Sequence, residues 1–215
     1  MSVDNQAPPD RGDDFGPTNP DFRAYDRKKS WPPEQWLDLY LREGLRIIPL
    51  YGAHDGDVFN AKKPGYHTWQ KYIPSTNELL DAIHLGKMWG CVCGSVSGNL
   101  SVVDYDLDEI LGTREKAKSW RKENISLLRT LRTLVTFTPS GGFHVWLRTR
   151  EPRPKPEVIG PIIHCLRAAN IEIDLVRGEG GQVVVPPSKL KGVGNYWFMD
   201  DSRIRRSGKL GIRLI

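Results

Sequence analysis

The segment Leu100-Ser101-Val102-Val103-Asp104-Tyr105-Asp106 runs an apolar strand into two aspartates at positions i and i+2. Side chains alternate across a strand, so Asp104 and Asp106 are expected to point the same way, about 6–7 Å apart at Cα. Two carboxylates so placed can share hard cations such as Mg2+ or Mn2+, which take oxygen ligands. Taken alone, the pattern fits glycosyltransferases, phosphatases, nucleases and polymerases, and equally the polar end of a strand entering a loop. A second acidic strand end, Ile171-Glu172-Ile173-Asp174-Leu175-Val176, lies about 70 residues on. A carboxylate in an apolar strand is costly unless paired or metal-bound, which makes Asp174 a candidate third ligand and Glu172 a weaker rival on the same face.

Two further segments have chemistry that suits phosphates. In Thr138-Pro139-Ser140-Gly141-Gly142-Phe143-His144, the glycines let the backbone approach a ligand and aim N–H groups at an anion. Ser140, Gly141 and Gly142 are therefore candidate nucleotide contacts, with His144 reaching a phosphate oxygen from the following strand. Arg177, three residues after Asp174, opens the hairpin Arg177-Gly178-Glu179-Gly180-Gly181 and can neutralise either a phosphate or a carboxylate. A tight turn with a surface arginine explains the same residues.

The elements that must position these residues follow from local pattern. Ser30 before Pro32 and Pro33 starts a helix whose face carries Trp36, Leu37, Tyr40 and Leu41. Leu45–Leu50, Trp89–Gly94, Leu100–Tyr105, Leu134–Thr138, Phe143–Arg148, Ile171–Val176, Gln182–Val185 and Tyr196–Phe198 are predicted as strands. Ser75 with Glu78 forms a candidate capping box for a helix ending near Gly86. Residues 108–132 are predicted as a helix that Asn124-Ile125-Ser126 can break, and Gly160-Pro161 opens another to Ala169. The 108–132 helix carries Arg114, Lys118, Arg121, Arg129 and Arg132 on one face. Arg114, Lys118 and Arg121 are candidate nucleic-acid contacts, although a solvated helix surface has the same composition. Strands and helices mixed in this way, with hairpin-like pairs late in the chain, predict an α+β fold.

Composition narrows the classes. The 215 residues carry a net charge of +5 and are 39% hydrophobic, which suits a globular protein and permits a nucleic-acid partner without requiring one. No apolar run approaches the roughly 20 residues of a membrane span, and no signal peptide is evident. Cys91, Cys93 and Cys165 make no disulfide framework, which predicts a reducing, cytoplasmic setting. Residues 1–29 are expected to form a disordered or loosely docked tail, 30–200 the folded domain that carries the candidate site, and 201–215 a basic C-terminal segment.

Together these segments resemble the bifunctional DNA primase/polymerase domain of plasmids, phages and integrated elements, in the archaeo-eukaryotic primase superfamily. The resemblance rests on Lys63-Pro64 with Trp69, on Gly94 to Asp106, on Thr138 to His144, on Asp174 to Ser188, and on a partly kept close at Gly194-Asn195-Tyr196-Trp197. It implies an RRM-like catalytic half packed with a smaller α/β half. It implies Asp104, Asp106 and Asp174 as metal-binding catalytic residues using Mg2+ or Mn2+, with His144 on the incoming nucleotide's phosphates. Some relatives carry a zinc-binding insertion, but Cys91, Cys93 and His164-Cys165 lack four-ligand spacing, so no zinc is expected. The implied partners are DNA template, primer and nucleoside triphosphates, with a helicase or helical accessory region after the domain in many relatives. The implied reaction is nucleotidyl transfer. A metal-dependent nuclease and a single-strand-binding module are the rival readings of the same residues, and the Ser-Gly-Gly-x-His segment and the strand-end aspartates count against them in turn.

Overall fold

The computed structural model describes residues 31–51, 58–154, 159–160, 164, 166 and 175–215. Both Asp174 and the residues of the expected N-terminal tail lie outside the described residues, as do Glu172 and Cys165. The chain from Trp31 to Ile215 forms one compact unit with the expected α+β character.

Helix α1 (Pro33–Arg42) begins with proline at its first position, where a missing N–H costs nothing. It buries Trp36, Leu37, Leu39 and Tyr40; Leu41, expected on that face, is exposed. Strand β1 (Arg46–Leu50), the short helix α2 (Val58–Ala61) and helix α3 (Thr76–His84) follow. Ser75 caps α3, its Oγ accepting from the Glu78 N–H at 3.2 Å. The Glu78 carboxylate does not close the box, because it accepts the hydroxyls of Tyr66 (2.5 Å) and Tyr72 (2.6 Å).

Next come β2 (Met88–Val92), β3 (Leu100–Tyr105) and three helices, α4 (Leu107–Leu111), α5 (Arg114–Glu123) and α6 (Ile125–Thr130). The expected single helix over 108–132 is thus three. Gly112 ends the first and Thr113 caps the second, its Oγ1 accepting from Lys116 N–H, while Asn124 separates the second from the third. Then follow β4 (Val135–Phe137), β5 (Phe143–Arg148), β6 (Leu175–Arg177), β7 (Gln182–Val185), β8 (Lys189–Leu190), β9 (Gly194–Asn195), β10 (Trp197–Phe198), α7 (Asp201–Ser207) and β11 (Arg213–Leu214).

The larger sheet has the order β10-β4-β5-β3-β6 with antiparallel neighbours, and β11 lies parallel to the end of β5. A smaller antiparallel sheet, β1-β2-β7, carries α1 and α3 and makes the second half. Alternation along the strands sorts the core. Val103, Tyr105, Phe143 and Val145 face Ala117 and Leu128 of the helical layer. Leu100, Val102 and Trp146 face the other way and join Trp36, Ile47, Trp89 and Cys91 in a core shared between the two halves.

The segment from β6 to β7 links the sheets, since β6 pairs with β3 and β7 with β2. Its turn is pinned where Glu179 accepts from the Ser95 N–H (2.7 Å) and Oγ–H (3.0 Å), and where Cys93 N–H donates to the Gly181 carbonyl (2.9 Å). The basic segment 201–215, set apart by composition, is built into the fold: Ile204 and Leu210 are buried and β11 extends the sheet.

Candidate active site

The same alternation that sends Val102 and Trp146 into the shared core sends Asp104 and His144 to that face, where the core gives way to polar groups. Asp104 and His144 are register partners on adjacent strands, so the pairing of β3 with β5 sets them side by side. His144 Nε2 lies 3.2 Å from Asp104 Oδ1, close enough for attraction but off the line of a hydrogen bond. On the other side β6 pairs with β3, and Arg177 brings both Nε and Nη2 to 3.0 Å from Asp104 Oδ2. Arg177, left open between a phosphate and a carboxylate on sequence grounds, here meets the carboxylate.

Asp104 and His144 are both buried, whereas the Arg177 side chain is about a third exposed. Burial raises the Asp104 carboxyl, but the neighbouring His144 and Arg177 outweigh it and hold the group well below the usual aspartate range. Asp104 therefore stays ionised in a nearly dry site. Asp106 follows the end of β3 and is half-buried. Tyr196, buried and with its ring 6.3 Å from His144, lies within the field of both aspartates. Burial first, then Asp104 and Asp106, push its hydroxyl well above the ordinary tyrosine range. Tyr196 is the site residue that sequence reasoning missed. Its signal was present in the Gly194-Asn195-Tyr196-Trp197 close, without a role attached.

The glycine turn is placed differently from a free phosphate cradle. A Cβ on Gly142 would lie 2.2 Å from the Tyr105 carbonyl oxygen, and one on Gly141, at φ +118°, would lie 2.7 Å from Ala117 Cβ. Both glycines thus serve the close docking of the turn between β3 and α5. Ser140 is half-buried with its Oγ 3.1 Å from Thr138 Oγ1. Arg121, expected on the exposed basic face, turns inward: Nη1 donates to the carbonyls of Thr138 and Gly142, both at 3.1 Å, and its guanidinium stands 4.6 Å over the Phe137 ring. Burial, then Arg114, lower its pKa to about 10. Arg114 is half-buried and donates to the Val193 carbonyl, while Lys118 is exposed. The expected shared basic face therefore presents Lys118 but not Arg121.

The fit of these residues to a divalent cation turns on the state of their polar atoms. Asp104 Oδ1 is buried with no hydrogen-bond partner, and so is His144 Nδ1. Asp104 Oδ1 faces His144 Nε2 at 3.2 Å without a formed hydrogen bond, and a carboxylate oxygen in that state, with the Asp106 carboxyl two residues on, is a donor of the kind a hard, oxygen-seeking cation takes. Among the described residues no three His, Cys, Asp or Glu side chains form a metal cluster, and Asp174 lies outside them. Leu175, the residue after it, is the register partner of Asp104. Cys91 and Cys93 are buried in or next to β2, where burial pushes the Cys91 thiol up to about 12. No helix among the described residues is long and apolar enough to cross a membrane.

The fold is α+β, and at the end of β3 it holds an ionised aspartate between an imidazole and a guanidinium. Residues 37–208 match the family of bifunctional DNA primase/polymerase N-terminal domains, Prim-Pol, and the chain belongs to that family. No curated protein matches the chain.

Proposed function

We propose that the protein is a template-directed nucleotidyltransferase, a DNA primase or polymerase that joins nucleoside triphosphates to a 3′-hydroxyl. The observation that carries this reading is the ionised, buried Asp104 at the end of β3, set between His144 and Arg177, in a chain of the Prim-Pol family. Asp104, Asp106 and Asp174 would hold Mg2+ or Mn2+, which when bound would lower the pKa of the attacking hydroxyl and neutralise charge on the triphosphate.

The chain's own residues supply positioning. His144 and Arg177 keep Asp104 charged and in place before a cation or nucleotide arrives. Arg177, being partly exposed, can also meet an incoming phosphate as its hold on Asp104 is replaced. Ser140 stands on the turn next to the same strand ends and offers a hydroxyl to the triphosphate. Tyr196, buried beside His144, lies in the field of the two aspartates and borders the site. DNA template and primer are the macromolecular partners on this reading.

The test is a primed DNA template with a 5′-labelled primer, nucleoside triphosphates and Mn2+. Lengthening of the primer that stops when the metal is chelated is the expected result. Shortening of the primer would replace polymerisation with a nuclease activity, and an unchanged primer under tight DNA binding would favour a non-enzymatic single-strand-binding module.

A further inference from the structure

The basic C-terminal segment has no part in the site around Asp104, yet it lines a pocket of its own. The pocket, about 180 Å3, lies where the turn before β4 meets α7. Its floor is apolar, from the buried Leu134, Ile204 and Leu210, and its rim carries Arg132, Arg203 and Lys209. All three cations are exposed, and among the described residues none of them is ion-paired. The one carboxylate in the lining, Asp200, already faces Arg129 at 3.9 Å. Arg132 is held at φ +50°, a left-handed conformation uncommon for a non-glycine residue. The pocket thus collects positive charge from a turn and a helix more than 60 residues apart in sequence and leaves it without a counter-ion.

We propose that this pocket is a second nucleic-acid contact, which grips the phosphodiester backbone of a single strand away from the reacting end. Three unpaired cations around a shallow depression complement a polyanion. No aromatic ring lines the pocket, so bases have nothing there to stack on, and the contact reads backbone rather than sequence. The pocket lies at the start of β4, two strands across from β3 and up to four residues along the sheet from the row of Thr136, His144 and Asp104, roughly 15 Å away at the usual strand spacing and rise. A strand engaged at both places therefore spans several nucleotides. The inference rests on the reading that the protein acts on DNA, but it concerns binding and not chemistry.

The experiment measures the affinity of the full chain for a fluorescein-labelled oligothymidylate by anisotropy over a series of salt concentrations. Wild type is compared with a variant carrying Arg132→Gln, Arg203→Gln and Lys209→Gln, and with Arg203→Lys. Loss of three phosphate contacts is expected to lower the slope of log Kd against log salt by about 2, at about 0.7 per single-strand contact. The Arg203→Lys variant retains the charge and is expected to bind as wild type does, which separates charge from packing. Thermal melting of each variant checks that the fold is intact. Should the triple variant melt early, the exposed single change Lys209→Glu provides the same readout with a smaller slope change. An unchanged slope, or a wild type that does not bind the oligonucleotide, overturns the proposal. So does a wild-type pocket that inorganic phosphate occupies while the oligonucleotide slope stays the same in the triple variant, since that assigns the pocket to a free anion. Primer lengthening is measured separately on the same samples. A wild type that binds but does not extend defeats the catalytic reading alone, and one that extends with an unchanged slope in the triple variant defeats this inference alone.

Discussion

A carboxylate taken out of water tends to pick up a proton, and Asp104 escapes that only because His144 and Arg177 stand against it. Its folded value is depressed, so the stabilisation is full above the ordinary aspartate pKa of about 4 and is lost as pH falls through the folded value. Asp104→Asn keeps the shape and removes the charge. Breaking a buried charge pair costs about 3–5 kcal/mol, and with Arg177 partly solvated we expect a loss of about 2 kcal/mol at pH 7. The gap between variant and wild type should narrow below about pH 4. Urea denaturation at a series of pH values measures it, and a gap that stays constant into the acid range contradicts the ion-pair account. Alternation predicts Asp104 and Asp106 on one side of a strand, but β3 ends at Tyr105 and Asp106 stands at the N-cap of α4. What the sequence could not reveal was that Asp104 sits opposite His144, because register between strands 40 residues apart is set by the whole sheet.

The turn Thr138–Gly142 and helix α5 act as one element, joined by close contact and by the Arg121 guanidinium. A methyl on Gly142 meets a backbone carbonyl of β3 at 2.2 Å, and neither strand end can yield without moving the site. Gly142→Ala is therefore expected to cost about 3 kcal/mol, at the upper end of overpacking effects. A denaturation midpoint equal to wild type would contradict the docking described for this turn. Arg121→Ala removes the donor from two carbonyls and the cation from the Phe137 ring, for an expected loss of about 2 kcal/mol. Lys118→Ala, at an exposed position four residues after Arg114, should stay within about 0.5 kcal/mol of wild type. Equal stability of the two variants would return Arg121 to the solvent face where helical spacing alone puts it. Spacing predicts a basic stripe of which Lys118 is exposed and Arg121 is not, whereas caps such as Ser75 and breaks such as Asn124 were legible because their chemistry is local. Which arginine turns inward depends on where a distant turn docks, and no local pattern encodes that.

The two halves of the molecule share a core and are linked by the passage from β6 to β7, so the site lies at the end of a sheet that several distant segments must complete. The C-terminal segment belongs to that construction. A chain ending at Asp200 loses the buried Ile204 and Leu210 as well as β11, and each buried side chain removed costs about 2 kcal/mol or more. Such a chain should lose cooperative melting or unfold several degrees lower, and an unchanged melting profile would show that the domain closes before residue 201. Composition marked this segment off as merely basic, because the pairing of Arg213 with Leu147 is visible only in the assembled sheet. Four motifs in order were enough to place the chain among primase/polymerase domains, a relation that holds across residues 37–208. On the proposed function, templated nucleotidyl transfer runs through the carboxylate at the end of β3. Its most direct test is single-turnover primer extension with Mn2+ by wild type and by Asp104→Asn, both checked for folding at the assay pH. The account predicts extension by wild type and a loss of about a thousandfold or more in Asp104→Asn, as expected when a group essential to the transition state is removed. Extension by folded Asp104→Asn at the wild-type rate would contradict it.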